Sequence, residues 1–256
     1  MPANLIACRT GCYGKFKDDA FAHMREIGIL HAEVNLLPDG EWDAYERKLA
    51  AHGISVSSTS GGVDLSKPEA PATLENLARM AERFGAKVIF LSVKTGGAPK
   101  PRAYETLRKL GDLAARHGAV IALETHPDLV TNGDLAAETA SNVNHPHVKL
   151  NYDSANLYYY NENVDGIAEL KKFLPWLGAV HLKETNGKPK TWYFPGLHEG
   201  EGIVDFPGIF KLCRERGFHG PYTMEIEGIE GENLTREQVF ARMKHSVDYL
   251  KSIGEM

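Results

Sequence analysis

His117-Gly118-Ala119-Val120-Ile-Ala-Leu-Glu124-Thr-His126 carries three structural messages in ten residues. A glycine closes a helix-like stretch, because it accepts the left-handed backbone needed just past a helix end. The apolar run that follows suits a parallel strand buried on both faces. That run stops on a carboxylate and, two residues later, an imidazole on the same face. An unpaired carboxylate at such a place is costly, so this strand end requires a partner.

The same unit recurs along the chain. Ile27-Gly28-Ile29 precedes His31-Ala-Glu-Val-Asn35, His52-Gly53-Ile54 precedes Ser55-Val-Ser-Ser58, and Phe84-Gly85-Ala86 precedes Lys87-Val-Ile-Phe-Leu91. Leu177-Gly178-Ala179 leads into Val180-His-Leu-Lys-Glu184, and Gly217 and Gly220 bracket the turn into Tyr222-Thr-Met-Glu-Ile-Glu227. With Leu5 to Cys8 and Val148-Lys-Leu-Asn-Tyr-Asp153 this gives eight strands. Helical patterns over 16–27, 41–52, 72–84, 103–117 and 235–253 lie between them. Pro71 marks a first turn, and Thr235 three residues before Gln238 predicts a capping box. Strict strand–helix alternation means a parallel sheet with right-handed crossovers. Eight units over 1–256 predict one (β/α)8 TIM barrel, for which this chain length is ordinary. A doubly wound open sheet is the alternative, but its G-x-G-x-x-G first turn is absent.

Composition narrows the partners. Hydrophobic residues at 43% and charged residues at 25% allow an ordinary globular core. A net charge of -5 gives no case for nucleic acid or an anionic membrane surface. No apolar run approaches the ~20 residues that span a bilayer, and the opening lacks a basic n-region. A cytoplasmic location is the expectation. Cys8, Cys12 and Cys213 are odd in number and lack C-x-x-C spacing, so they read as small free side chains.

Catalytic groups of such a barrel gather at the C-terminal strand ends. Strands five to eight end in sequence on Glu124, Asp153, His181 and Glu225. Three carboxylates and an imidazole meeting there would repel and desolvate one another, whereas one divalent ion held by all four removes the conflict. Oxygen-rich ligation with one nitrogen suits Mn²⁺ foremost, with Mg²⁺, Co²⁺ or Zn²⁺ as alternatives. Two-residue spacing places His126 beside Glu124, Lys183 beside His181 and Glu227 beside Glu225. All three are candidate substrate contacts, Lys183 for an oxyanion, carboxylate or phosphate. Arg9, just past the first strand, is another. The Gly- and Pro-rich segment Thr185 to Val204, with Trp192, Tyr193, Phe194 and His198, is long enough to cover a substrate, and His198 is expected at the mouth. Tyr158-Tyr-Tyr160 offers a sugar-stacking surface, an interface, or plain helix packing.

The strings Ala122-Leu-Glu-Thr-His-Pro127, Asn151-Tyr-Asp-Ser-Ala-Asn156, Val180-His-Leu-Lys-Glu184 and Met224-Glu-Ile-Glu-Gly228 resemble the xylose-isomerase-like TIM barrel superfamily over essentially the whole chain. That resemblance implies a metal ligand from each of strands five to eight, in the order Glu, Asp, His, Glu. It also implies a metal-dependent isomerase or epimerase acting on a small sugar, sugar phosphate or keto-polyol by proton transfer next to a carbonyl, through an enediolate. Glu124 and Glu225 would then flank the reacting carbon, one removing the proton and the other returning it. Relatives often form homodimers or homotetramers. One position departs from the pattern: Asn156 stands where many epimerases have a substrate-contacting histidine, and an amide does not titrate near neutrality. A dehydratase or lyase of a keto-polyol is the runner-up. A phosphodiesterase of the apurinic-site endonuclease type is disfavoured by the lack of histidine in Ser57-Ser-Thr-Ser-Gly61 and Leu91-Ser-Val-Lys94, and by the acidic charge. A non-catalytic sugar-binding protein is the remaining class.

Overall fold

The structure, a computed structural model, describes residues 3–256. Eight parallel strands close into a barrel: β1 (Ile6–Arg9), β2 (His31–Asn35), β3 (Ser55–Asp64), β4 (Val88–Lys94), β5 (Val120–Glu124), β6 (Val148–Asp153), β7 (Leu177–Leu182) and β9 (Tyr222–Met224). Ile6 pairs with Tyr222 and Ala7 with Thr223, so the first and last barrel strands join and no edge remains. This excludes the doubly wound sheet. Two short strands, β8 (Tyr193–Phe194) and β10 (Gly228–Ile229), form a separate antiparallel ribbon over the mouth.

Helices α1 (Ala20–Ile27), α2 (Trp42–His52), α3 (Ala70–Phe84), α4 (Lys100–Arg116), α5 (Gly133–Val143), α6 (Asn156–Tyr160), α7 (Gly166–Phe173), α8 (Phe206–Glu215) and α9 (Arg236–Ser252) occupy the connections. The glycines after α1, α2 and α3 have φ of 97°, 62° and 75°, the left-handed caps that the repeat requires. Thr235 and Gln238 form the expected capping box on α9. None of the described helices is long and apolar enough to cross a membrane.

Two boundaries differ from expectation. The first helix begins at Ala20 rather than Phe16, because Thr10–Asp19 is an irregular 3₁₀ segment interrupted by Gly14 at φ 53°. Tyr13 is buried earlier in that segment, but Lys15, Lys17 and Asp18 are exposed, so no helical apolar face forms between Gly14 and Ala20. Strand β3 runs on to Asp64, well past Ser58. A Cβ at Gly61 would come within 2.8 Å of Leu77 Cδ1, so this glycine lets α3 lie close against the extended strand.

The two-residue period of the strands separates two layers. Ile121, Leu123, Val180 and their like pack outward on the helices in the main core. Val88, Ala122 and Ala179 point inward and form a small apolar plug in the lumen. Two residues further along the same inward faces come Phe90, Glu124 and His181. The strand period therefore delivers polar groups directly above an apolar floor.

Candidate metal centre and active site

Asp153, His181 and Glu225 are buried and each offers one ligand atom within 4.8 Å of the others. Register explains part of this: Asp153 pairs with His181 across β6 and β7. Glu225 follows β9, and its N–H still donates to Leu182 O at 3.0 Å, which carries the barrel ladder one residue past the strand. Asp153 is fixed by two backbone donors, Ala155 N (2.9 Å) and Asn156 N (2.8 Å), both to Oδ1. Its Oδ2 is buried and has no hydrogen-bond partner. The His181 Nδ1 is 3.9 Å away from that oxygen and 2.8 Å from Glu225 Oε2. An orphaned carboxylate oxygen beside an imidazole nitrogen and a second carboxylate is a donor set that fits a divalent cation.

Glu124, expected as a fourth ligand, is partly exposed at the end of β5 and stands outside that group of three. Its Oε1 accepts from Asn156 Nδ2 at 3.2 Å. Asn156 also donates to Thr125 O and accepts from Lys183 Nζ at 3.2 Å, so the amide ties Glu124 to Lys183. Lys183 is buried, with its ammonium 2.5 Å from Glu227 and 3.5 Å from Glu225. Arg9 forms ion pairs with Glu225 and with Glu33.

These groups face a cavity of about 490 Å³ that includes Arg9, Phe90, Glu124, His126, Asn156, Lys183, Glu225 and Glu227 in its wall. His126 packs edge-on to Tyr160, with Nδ1 2.6 Å from Pro127 O. Tyr159, Tyr160, Trp192 and Phe194 make up an aromatic side of the same cavity. Tyr158 takes the packing role instead, its hydroxyl accepting from Gly166 N. Burial and the nearby Glu124 carboxylate push the Tyr160 phenol up to about 12, so it stays protonated and can donate.

The long segment after β7 does cover the mouth, and it is held by a residue the sequence reading passed over. Glu184 is buried and accepts from Thr185 N and Val204 N on Oε1 and from His198 N on Oε2. Burial raises its carboxyl above the ordinary range, against the lowering effect of those backbone donors. Glu184→Gln keeps one acceptor oxygen but places an amide against His198 N. Hydrogen exchange is therefore expected to accelerate at the three amides Glu184 holds, most at His198 and less at Thr185 and Val204. Mass-spectrometric or NMR exchange rates measure this directly, and an unchanged His198 amide would remove Glu184 as the fastener.

His198 itself corrects an expectation. Its ring stacks on Tyr249 of α9 at 4.6 Å and 15°, away from the cavity wall, in an exposed position. The backbone of His198 serves the loop, and its side chain does not reach the mouth. The cysteines are free, as expected, with Cys12 accepting from Ile226 N at 3.1 Å and so securing the chain just after Glu225.

Two further residues were missed. Glu33 on β2 is fully buried inside the barrel, with Oε2 2.8 Å from Ser58 Oγ and 3.2 Å from His181 Nε2. Burial alone would raise its carboxyl, but His181, Arg9 and Ser58 together hold it below the ordinary value. Phe90 on β4 stacks on the His181 ring at 4.3 Å and 18°. The signal for Glu33 is present in His31-Ala-Glu-Val-Asn35, a carboxylate inside a buried strand, but it lies mid-strand and not at the strand end where catalytic groups are expected.

The fold has counterparts among known proteins. The chain is 31% identical over 143 residues to L-ribulose-5-phosphate 3-epimerase UlaE of Salmonella paratyphi B, a match covering 55% of this chain and 48% of that protein. The chain thus spans about half the length of the curated relatives it matches. A xylose isomerase-like TIM barrel protein from Mycobacterium smegmatis, solved in complex with magnesium, superposes with a TM-score of 0.76 at 20% identity, covering 100% of this chain and 99% of that one. D-psicose 3-epimerase from Clostridium cellulolyticum H10, solved with D-tagatose, gives 0.78 at 14% identity, over 98% and 99% of the two chains. The family model for xylose isomerase-like TIM barrels matches residues 21–254. The chain belongs to the xylose isomerase-like TIM barrel family.

Proposed function

We propose that this protein is a divalent-metal-dependent epimerase or isomerase of an unphosphorylated keto sugar or keto-polyol. The observation that supports it best is the placement of Glu124 and Glu225. They stand on β5 and just after β9, with β6 and β7 between them, so they approach one cavity from different sides of the barrel. A carbon held between two such carboxylates can lose a proton to one and regain it from the other on the opposite face. General acid–base transfer of this kind contributes about 10²–10⁴-fold. A divalent ion at Asp153, His181 and Glu225 would supply Lewis-acid stabilisation of the charge that develops on the substrate carbonyl oxygen. Lys183 and Arg9 then act as fixed positive charges around that oxygen, and Asn156 holds Glu124 in place. The aromatic side formed by Tyr159, Tyr160, Trp192 and Phe194 suits the apolar face of a sugar and keeps water out.

Charge favours a neutral substrate. Arg9 and Lys183 are the cations in the described cavity wall, and both are engaged by carboxylates. In the wall itself the carboxylates Glu124, Glu225 and Glu227 outnumber the cations Arg9 and Lys183 by one, so neither cation is left free for a phosphate. A phosphate dianion brought to about 4 Å from one unpaired carboxylate meets a repulsion on the order of 4 kcal/mol per unit charge. Lys190 is exposed near the Tyr160 ring, 5.2 Å from its centroid, and is not part of the wall. This separates the reading from the phosphorylated substrate named for the Salmonella relative.

The test is incubation of metal-loaded protein with paired ketoses and ketose phosphates in D₂O. Deuterium should enter next to the carbonyl of a free ketose, with the matching phosphate at least about tenfold slower, the factor that 1.4 kcal/mol sets. Exchange confined to phosphates would defeat the substrate assignment. Loss of water in place of an epimer would identify a dehydratase, and no exchange with any of them would leave a binding protein.

A further inference from the structure

Glu33 has no part in the proton transfer described above, yet it is buried across the barrel from its partner. It sits on β2, in register with Arg9 of β1 and Ser58 of β3. From there its side chain crosses the lumen to β7 and meets His181 Nε2 at 3.2 Å. Ser58 Oγ donates to the same oxygen at 2.8 Å, and Arg9 Nε lies 3.4 Å from the other. The His181 ring is thus held on three sides: Phe90 on its face, Glu33 at Nε2 and Glu225 at Nδ1.

From this arrangement we infer that Glu33 is a positioning residue that sets the tautomer and aim of His181, so that Nδ1 presents its lone pair to a divalent metal. The inference rests on Asp153, His181 and Glu225 being metal ligands. An ionised carboxylate can only accept hydrogen bonds, so the ring nitrogen facing Glu33 carries the hydrogen. Glu225 Oε2 makes the same demand on Nδ1 at 2.8 Å until a cation lies between them. With the single hydrogen of a neutral imidazole then kept at Nε2 by Glu33, the nitrogen that faces the cation, on the side of Asp153 Oδ2 and Glu225 Oε2, is Nδ1. The opposite tautomer would turn its lone pair toward Glu33 and its N–H toward the metal. Carboxylate support of a ligating histidine also raises its basicity, and removing such partners elsewhere costs about 10–100-fold in metal affinity.

The test uses Glu33→Gln, an isosteric change, with metal dissociation constants measured by competition against a chromophoric chelator for Mn²⁺, Co²⁺ and Zn²⁺. Glu33→Gln should bind each about 10–100-fold more weakly than the unmodified protein. The visible absorption of the Co²⁺ form should also change, because the histidine it senses is no longer fixed. Ser58→Ala, which removes one support of Glu33 and no ligand, should give the same loss to a smaller degree, and it carries the test if Glu33→Gln does not fold. Equal affinities and identical Co²⁺ spectra in a folded variant would overturn the inference while leaving the metal site standing. Failure of the unmodified protein to bind any of these ions would instead strike the functional reading beneath it.

Discussion

Glu124→Gln is expected to slow deuterium exchange into the substrate by about 10²–10⁴-fold, the usual contribution of one acid–base group, while weakening metal binding far less. The asymmetry follows from position. The ligand atoms of Asp153, His181 and Glu225 lie within 4.8 Å of one another, whereas Glu124 is turned to the Asn156 amide at 3.2 Å. Glutamine keeps an oxygen for that contact and a similar shape, so the cavity should survive while the base is lost. Glu225→Gln should behave differently, because Glu225 Oε2 meets His181 Nδ1 at 2.8 Å and belongs to the metal set. There exchange and metal affinity should fall together. Parallel chelator titrations and exchange rates on the two variants separate these patterns. If Glu124→Gln lost metal as severely as Glu225→Gln, Glu124 would be a full fourth ligand, as the sequence pattern implied. If it exchanged deuterium normally, it would not be the base.

How far the sequence could be read depended on the kind of signal each residue leaves. The barrel was legible because apolar runs recur eight times, six of them behind a glycine, and both signals are local. The last four strand ends were legible because charge after an apolar run is anomalous wherever it occurs. Glu33 leaves the same local mark, but its significance is nonlocal: it matters only because β2 faces β7 across the lumen, which sequence spacing does not encode. His198 failed for the complementary reason. A histidine in a long loop beside a functional strand resembles a substrate contact, and only its stack on Tyr249 shows that its ring faces α9. Glu184 was equally hidden. It follows Lys183 directly, so the two-residue period turns it to the opposite face of the chain, where it binds loop backbone instead of substrate.

Asp153→Asn should reverse the order of stability with and without metal. In the metal-free protein, Asp153 Oδ2 is buried without a hydrogen-bond partner, and the nearest cation, Lys183 Nζ, stands 4.0 Å away. Removing that charge lifts a desolvation cost of the kind that makes buried, imperfectly paired ions poor sources of stability. Asparagine retains a carbonyl for the Ala155 and Asn156 N–H groups, so the turn after β6 should persist. The metal-free variant should therefore melt no lower than metal-free unmodified protein. With Mn²⁺ at 100 times its Kd, the unmodified protein should gain about 2.7 kcal/mol by mass action. For a chain of this size that is roughly 5–10 °C in melting temperature. The variant, which turns an amide N–H₂ toward the ion, should gain almost none of it. Differential scanning calorimetry with and without Mn²⁺ gives all four values. An equal metal-induced rise in both proteins would mean that the ion, if bound, sits away from Asp153, and the centre proposed between β6, β7 and β9 would have to be abandoned.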